Sequence, residues 1–253
     1  MPIATANGID VSYRVEGEGE PLVLIMGFSA EGDSWAFQRK VDNRGVGKSS
    51  KPAGAYTIMG MADDAVGLMD HLGIHKAHIL GVSMGGLIAQ EIAINHPERV
   101  MKLILAATYA CRDNMLSGPT AEMERGSGLS MKSSMGRLVG MASGSAFTGF
   151  LLGLLMRVRL TFAARSAVAG LLGQQAACRS HDTLSLSRLR LIQSPTLVMA
   201  GTRDRVIKPS SSEVLAREIP NARLVKFEGG SHMFSMEMHK RFNAEVLEFL
   251  KNG

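Results

Sequence analysis

A strand-length apolar run, AHILGV (77–82), passes without a spacer into the helical pattern MGGLIAQEIAINH, and Gly81-Val82-Ser83-Met84-Gly85 stands at the junction. A backbone that turns so sharply from strand to helix tolerates only small neighbours, and it lifts the residue at its apex above the sheet. The junction commits the chain to a sheet with a helix packed behind it. It also presents one serine at the carboxyl end of a strand, beside the positive end of a helix.

The rest of the sequence repeats the alternation. PLVLIM (21–26), VMKLILAA (100–107), PTLVMA (195–200) and ARLVKF (222–227) are continuous apolar runs of strand length. Between and around them, YTIMGMADDAVGLMDHL, SSEVLAREI and HKRFNAEVLEFLK carry apolar residues at helical spacing. Strands that are apolar throughout belong to a sheet covered on both faces, which predicts an α/β fold with a mostly parallel sheet between helices. Near the start, IATA and IDVSYRV flank Asn7-Gly8, the signature of a tight hairpin.

Residues 112–190 break the rhythm. They are dense in Gly, Ser and Met, and nineteen residues between Arg137 and Arg157 carry no charge. That length approaches a membrane span. Four glycines and two serines within it, and its place between two stretches of sheet, predict instead a helical insertion with its apolar face toward a pocket and its arginines toward water. The expected division is a core of residues 1–111 and 191–253 and a helical cap of residues 112–190.

The net charge of +5 raises the question of nucleic acid. Residues 112–194 hold ten Lys/Arg against four Asp/Glu, the remainder eighteen against nineteen, and no basic run is interleaved with aromatics. This predicts a solvated basic face and no nucleic-acid partner. DNRGVGKSS (42–50) ends like a phosphate-binding loop, but Asp42 stands where the first glycine is required, and its carboxylate would face the anion. The sequence opens without a basic segment followed by an apolar run, and it has two cysteines, Cys111 and Cys178. Together these predict a cytoplasmic protein with reduced thiols and no stable membrane insertion.

A serine nucleophile needs a base, and the base needs an orienting acid. Of seven histidines, His232 in EGGSHMF lies in a glycine-rich loop just after the last strand. Asp204, in PTLVMAGTRDRV, follows the strand before it, and Asp113 is the rival acid. Loops at the carboxyl ends of parallel strands are where such sheets carry chemistry. His71, His75 and His78 straddle a helix end, a turn and a strand start, so no metal site is expected from them.

The order Ser83, Asp204, His232 around an elbow motif resembles the α/β-hydrolases, over essentially the whole chain. The resemblance implies an oxyanion hole from the backbone N–H groups of Met84 and of Phe28, in LIMGFSA, where Met26 replaces a histidine common among relatives. DNRGVGKS resembles the family's Asp-x-Arg-Gly-x-Gly-x-Ser loop, a structural segment. The implied activity is cleavage of a small, largely apolar carboxylic ester or lactone through an acyl-enzyme, without a cofactor, with the Met-, Leu- and Phe-rich cap forming an adaptable acyl pocket. Two alternatives stay open. Carbon–carbon bond hydrolases share the triad, although many carry tryptophan where this chain has Met233, and some relatives act as small-molecule receptors. Oligomeric state is not legible.

One interval departs from the family. Gly27 and Asp42 stand only fifteen positions apart, too few for the helix and the internal strand that relatives place there. Either the N-terminal hairpin pairs directly with PLVLIM, or residues are missing and a Cα–Cα separation well beyond ~3.8 Å marks the break near Gln38 to Val41.

Overall fold

The computed structural model describes residues 1–30, 41–110, 131–161, 164–181 and 186–252. Its centre is a five-stranded parallel sheet in the order β3 (Leu22–Ile25), β4 (Ala77–Val82), β5 (Val100–Ala106), β6 (Thr196–Gly201) and β7 (Ala222–Phe227). All six residues of β4 and of β6 are buried, as apolar runs without alternation require. On one face, α1 (Ile58–His71) and α2 (Met84–Asn95) enclose a core of Met61, Met69, Ile79, Leu87, Ile88 and Leu105. On the other, Phe227, Phe234 and Phe242 cluster with Leu80, Ile104 and Met199. Their rings stack at centroid distances of 4.6 to 6.4 Å. The buried Lys102 ammonium donates to the carbonyls of Phe249, Leu250 and Asn252, satisfying groups that the last helix leaves open.

The N-terminal hairpin forms as expected, β1 (Ile3–Ala6) against β2 (Ile9–Ser12), with Asn7 and Gly8 both at positive φ. It does not slide onto β3. Val41 stands between them, bridging Tyr13 in antiparallel sense and Ile25 in parallel sense. Among the described residues Val41 alone links the hairpin to β3 through β-bridges, and a cleft of about 530 Å³ opens beside it, lined by Tyr13, Arg14, Leu22, Leu24 and Val246 among others. The break expected near Gln38 to Val41 lies outside the described residues, Val41 excepted.

Between β5 and β6 lie α3 (Met131–Ala142), α4 (Ala146–Thr161), α5 (Arg165–Ser180) and α6 (Leu186–Leu189). Leu138, Met141 and Ala142 of α3 pack on the main core. Helix α4 lies against α3 through glycines. A methyl group on Gly149 would strike the Gly140 carbonyl, and one on Gly153 would come within 2.6 Å of the Gly136 carbonyl. Small residues four apart on both helices let the backbones touch. With its glycine edge turned to α3, α4 presents Phe147, Phe150, Leu154 and Leu155 to solvent. The expectation that this uncharged stretch faces inward is therefore corrected for α4. Leu138, Met141 and Met156 are partly buried, whereas Phe147, Phe150, Leu151, Leu154 and Leu155 point outward, because the glycine edge of α4 makes the helix contact.

The remaining helices are α7 (Pro209–Glu218), α8 (Phe234–Glu237) and α9 (His239–Lys251).

Candidate active site

Four loops meet at the carboxyl ends of β3, β4, β6 and β7. Ser83 follows β4 directly, at φ 56° and ψ −120°, a strained conformation for a residue with a side chain. Its backbone is held there on both sides. Its N–H donates to Ala106 at 2.9 Å, and its carbonyl accepts from Thr108 Oγ1 at 2.8 Å. The glycines around it are required by proximity. A methyl group on Gly81 would collide with the Gly85 carbonyl, and one on Gly85 with the Ile25 carbonyl.

His232 lies in the loop after β7, with Nε2 3.1 Å from Ser83 Oγ and Nδ1 2.7 Å from Asp204 Oδ2. The second Asp204 oxygen accepts from the N–H groups of Val206 and Ile207, at 2.8 and 2.9 Å. Those bonds fix the carboxylate plane and leave Oδ2 to orient the imidazole. The side chains of Asp204 and His232 are 3% and 12% exposed, so the chain of contacts runs mostly out of water. Asp113, the rival acid, lies outside the described residues.

The loop after β3 passes beside the serine: a methyl group on Gly27 would lie 3.0 Å from Ser83 Cβ. Ser29 N–H donates to Gln174 Oε1, and Ala30 N–H to the Gly27 carbonyl. Among the described residues no acceptor engages the Phe28 N–H. The same holds for Met84, which as the first residue of α2 has no intrahelical acceptor.

Sequence reasoning missed Gln174. Fully buried on α5, it also donates from Nε2 to the Arg44 carbonyl at 2.8 Å, so one amide spans two loops. A glutamine in a helical pattern carries no signal of that role. Glu237 was missed as well. It accepts from Ser231 Oγ at 2.7 Å and from Gly144 N–H at 2.9 Å, which ties the α3–α4 turn to the loop of His232.

The segment after Val41 is a closed structural loop. The Asp42 carboxylate accepts from Lys48 N–H, the position an anion would need to occupy. Ser49 Oγ joins the Asp42 carbonyl to the Ser12 N–H. Arg44 forks onto the buried Asp64, which raises the guanidinium pKa above its ordinary value. Of the three clustered histidines, His71 lies edge-on to Tyr13 and the buried His78 is 3.2 Å from Glu20. No group of three metal-ligating side chains forms among the described residues. Among the same residues no helix is long and apolar enough to cross a membrane.

The chain belongs to the α/β-hydrolase fold family, whose model matches residues 40–238. A protein of Azorhizobium caulinodans assigned by name to carbamate hydrolysis is 27% identical, with 98% of each chain covered. That alignment spans 272 positions, more than the 253 residues here, so the relative carries residues that this chain lacks. A 2-hydroxymuconate semialdehyde hydrolase of Pseudomonas putida is 31% identical over 97% of this chain and 92% of its own. Among solved structures, the enol-lactonase of Burkholderia xenovorans superposes with a TM-score of 0.84 at 27% identity, covering 99% of this chain and 100% of its own. These relatives act on different bonds, and what they share is hydrolysis.

Proposed function

We propose that the protein is a serine hydrolase that cleaves a small, largely apolar carboxylic ester or lactone through an acyl-enzyme. The observation that carries the reading is the continuous run of contacts from Asp204 through His232 to Ser83. Ser83 Oγ attacks the carbonyl carbon while His232 Nε2 takes its proton. Asp204, held by two backbone N–H groups, keeps Nδ1 protonated and stabilises the imidazolium as it forms. The N–H groups of Phe28 and Met84 receive the oxyanion. His232 then delivers its proton to the leaving alkoxide, and the Ser83 ester remains. Water, deprotonated by the same imidazole, attacks that ester; the bond from the acyl carbon to Ser83 Oγ breaks, and His232 returns the proton to Oγ as the acid leaves. Nucleophile, base, acid and oxyanion donors all come from the chain, so this reading calls for no cofactor. Residues 112–190 act as the cap, and the enzyme works in the cytoplasm on a small molecule.

The similarity to an enol-lactonase supports the lactone branch, and the 31% identical semialdehyde hydrolase favours a second reading, carbon–carbon bond cleavage by the same residues. Nitrophenyl esters of rising acyl length, simple lactones and a vinylogous 1,5-diketone separate them. The account expects steady turnover of esters or lactones with a preference for short apolar acyl groups. Cleavage of the diketone alone would favour the second reading, and a protein that binds these compounds yet stops after one turnover would be a receptor.

A further inference from the structure

Among the described residues, the outward face of α4 gathers six exposed large apolar side chains. Phe147, Phe150, Leu151, Leu154, Leu155 and Val158 recur at spacings of three, one, three, one and three, which puts them on one stripe of the helix. Phe147 and Phe150 are 77% and 70% exposed, and the four aliphatic residues 44 to 54%. Single exposed apolar residues are ordinary, but a contiguous stripe marks an interaction surface.

Its surroundings say what kind. Residues 131–180 contain six Lys/Arg and no Asp/Glu. Arg137 and Arg157 are exposed on neighbouring turns of α3 and α4, the Arg157 stem lying across Gly136. Two copies joined stripe to stripe would bring the exposed Arg137 and Arg157 of one copy toward those of the other, in a segment that carries no acid of its own, so self-association is disfavoured. An anionic bilayer surface answers both features, taking the apolar stripe into the acyl boundary and the cations against the headgroups. Sixteen residues of helix extend ~24 Å, short of the ~30 Å hydrocarbon thickness, so α4 would lie along the surface.

We propose that the α3–α4 hairpin docks the protein peripherally on anionic phospholipid bilayers, with the Phe147–Val158 stripe in the interface. The proposal does not depend on which bond the enzyme cleaves.

The test is co-sedimentation of the full chain with vesicles of phosphatidylcholine alone or mixed with phosphatidylglycerol. Partition onto the mixed vesicles should exceed that onto neutral ones by about tenfold at low ionic strength and fall as salt rises. The double substitution Phe147→Ser/Phe150→Ser should lower it about tenfold again, with unchanged thermal melting and unchanged hydrolysis of a water-soluble ester. Met59→Ser, which removes an exposed methionine on α1, should leave partition intact. Absence of binding, equal binding to both vesicles, or indifference to the double substitution would overturn the proposal. So would a loss of melting temperature, which would mean the stripe is buried, or a dimer that the substitution splits, seen by light scattering.

Discussion

Two places in this molecule are crowded by glycine, and they use the crowding differently. At the elbow, Gly81 and Gly85 let a strand, a turn and a helix approach so closely that Ser83 is held in a strained conformation above the sheet. In the α3–α4 hairpin, Gly136, Gly140, Gly149 and Gly153 let two helices touch along their backbones, and Phe147, Phe150, Leu154 and Leu155 of α4 are turned to solvent. Close backbone approach thus sets a hydroxyl beside His232 in the first case and leaves an exposed apolar surface in the second. The surroundings account for the difference. The elbow is enclosed by fully buried strands that fix what lies on each side, whereas α4 sits on α3, one layer removed from the core.

The comparison can be broken at either place. The largest effect belongs to the elbow: Ser83→Ala and His232→Ala should each lower ester turnover by about 10³-fold or more with melting temperature nearly unchanged. Near-normal turnover in either variant, measured by nitrophenol release, would remove the proposed mechanism. At the hairpin the expected pattern is reversed. Gly149→Leu drives a side chain into the Gly140 carbonyl and should cost on the order of 1–3 kcal/mol in chemical denaturation, with the elbow residues untouched. Unchanged stability would show that the helices do not touch there. The smallest effect falls on Gln174, which joins the loop of Phe28 to that of Arg44. Gln174→Leu takes the partner from the part-buried Ser29 N–H and Arg44 carbonyl, and should cost about 1 kcal/mol. It should also lower kcat more than it raises KM, since it loosens the loop that carries Phe28. A purely structural role would leave kcat unchanged in the folded fraction.

What could be read from the sequence follows the same division. Strands β4 and β7 begin and end where the apolar runs do, and α1, α2 and α9 fall on their helical patterns, because burial on both faces leaves few alternatives. Ser83, Asp204 and His232 were visible as residues at carboxyl ends of strands, and the fold brings them within hydrogen-bond reach. Gln174 and Glu237 were not visible. Each acts through backbone groups that are distant in sequence, and nothing local marks either one. The direction of α4 was misread, because its apolar composition suggested burial. Glycines four residues apart decide which edge of such a helix is inside, and that becomes legible only once the partner helix is known. At the sheet edge, the short interval from Gly27 to Asp42 told of a departure from the family but not of the bridges that Val41 makes to Tyr13 and Ile25 beside a cleft.

The central claim is that Ser83 forms an ester with the substrate's acyl group. Mixing the protein with excess nitrophenyl ester and quenching within the first turnovers, followed by intact-mass and peptide measurement, tests it directly. The account predicts a burst of about one nitrophenol per active chain. It also predicts an added acyl mass on the peptide containing Ser83, absent in Ser83→Ala and formed far more slowly in His232→Ala. Steady turnover with no acyl mass on that peptide, or with the mass on another residue, would contradict it.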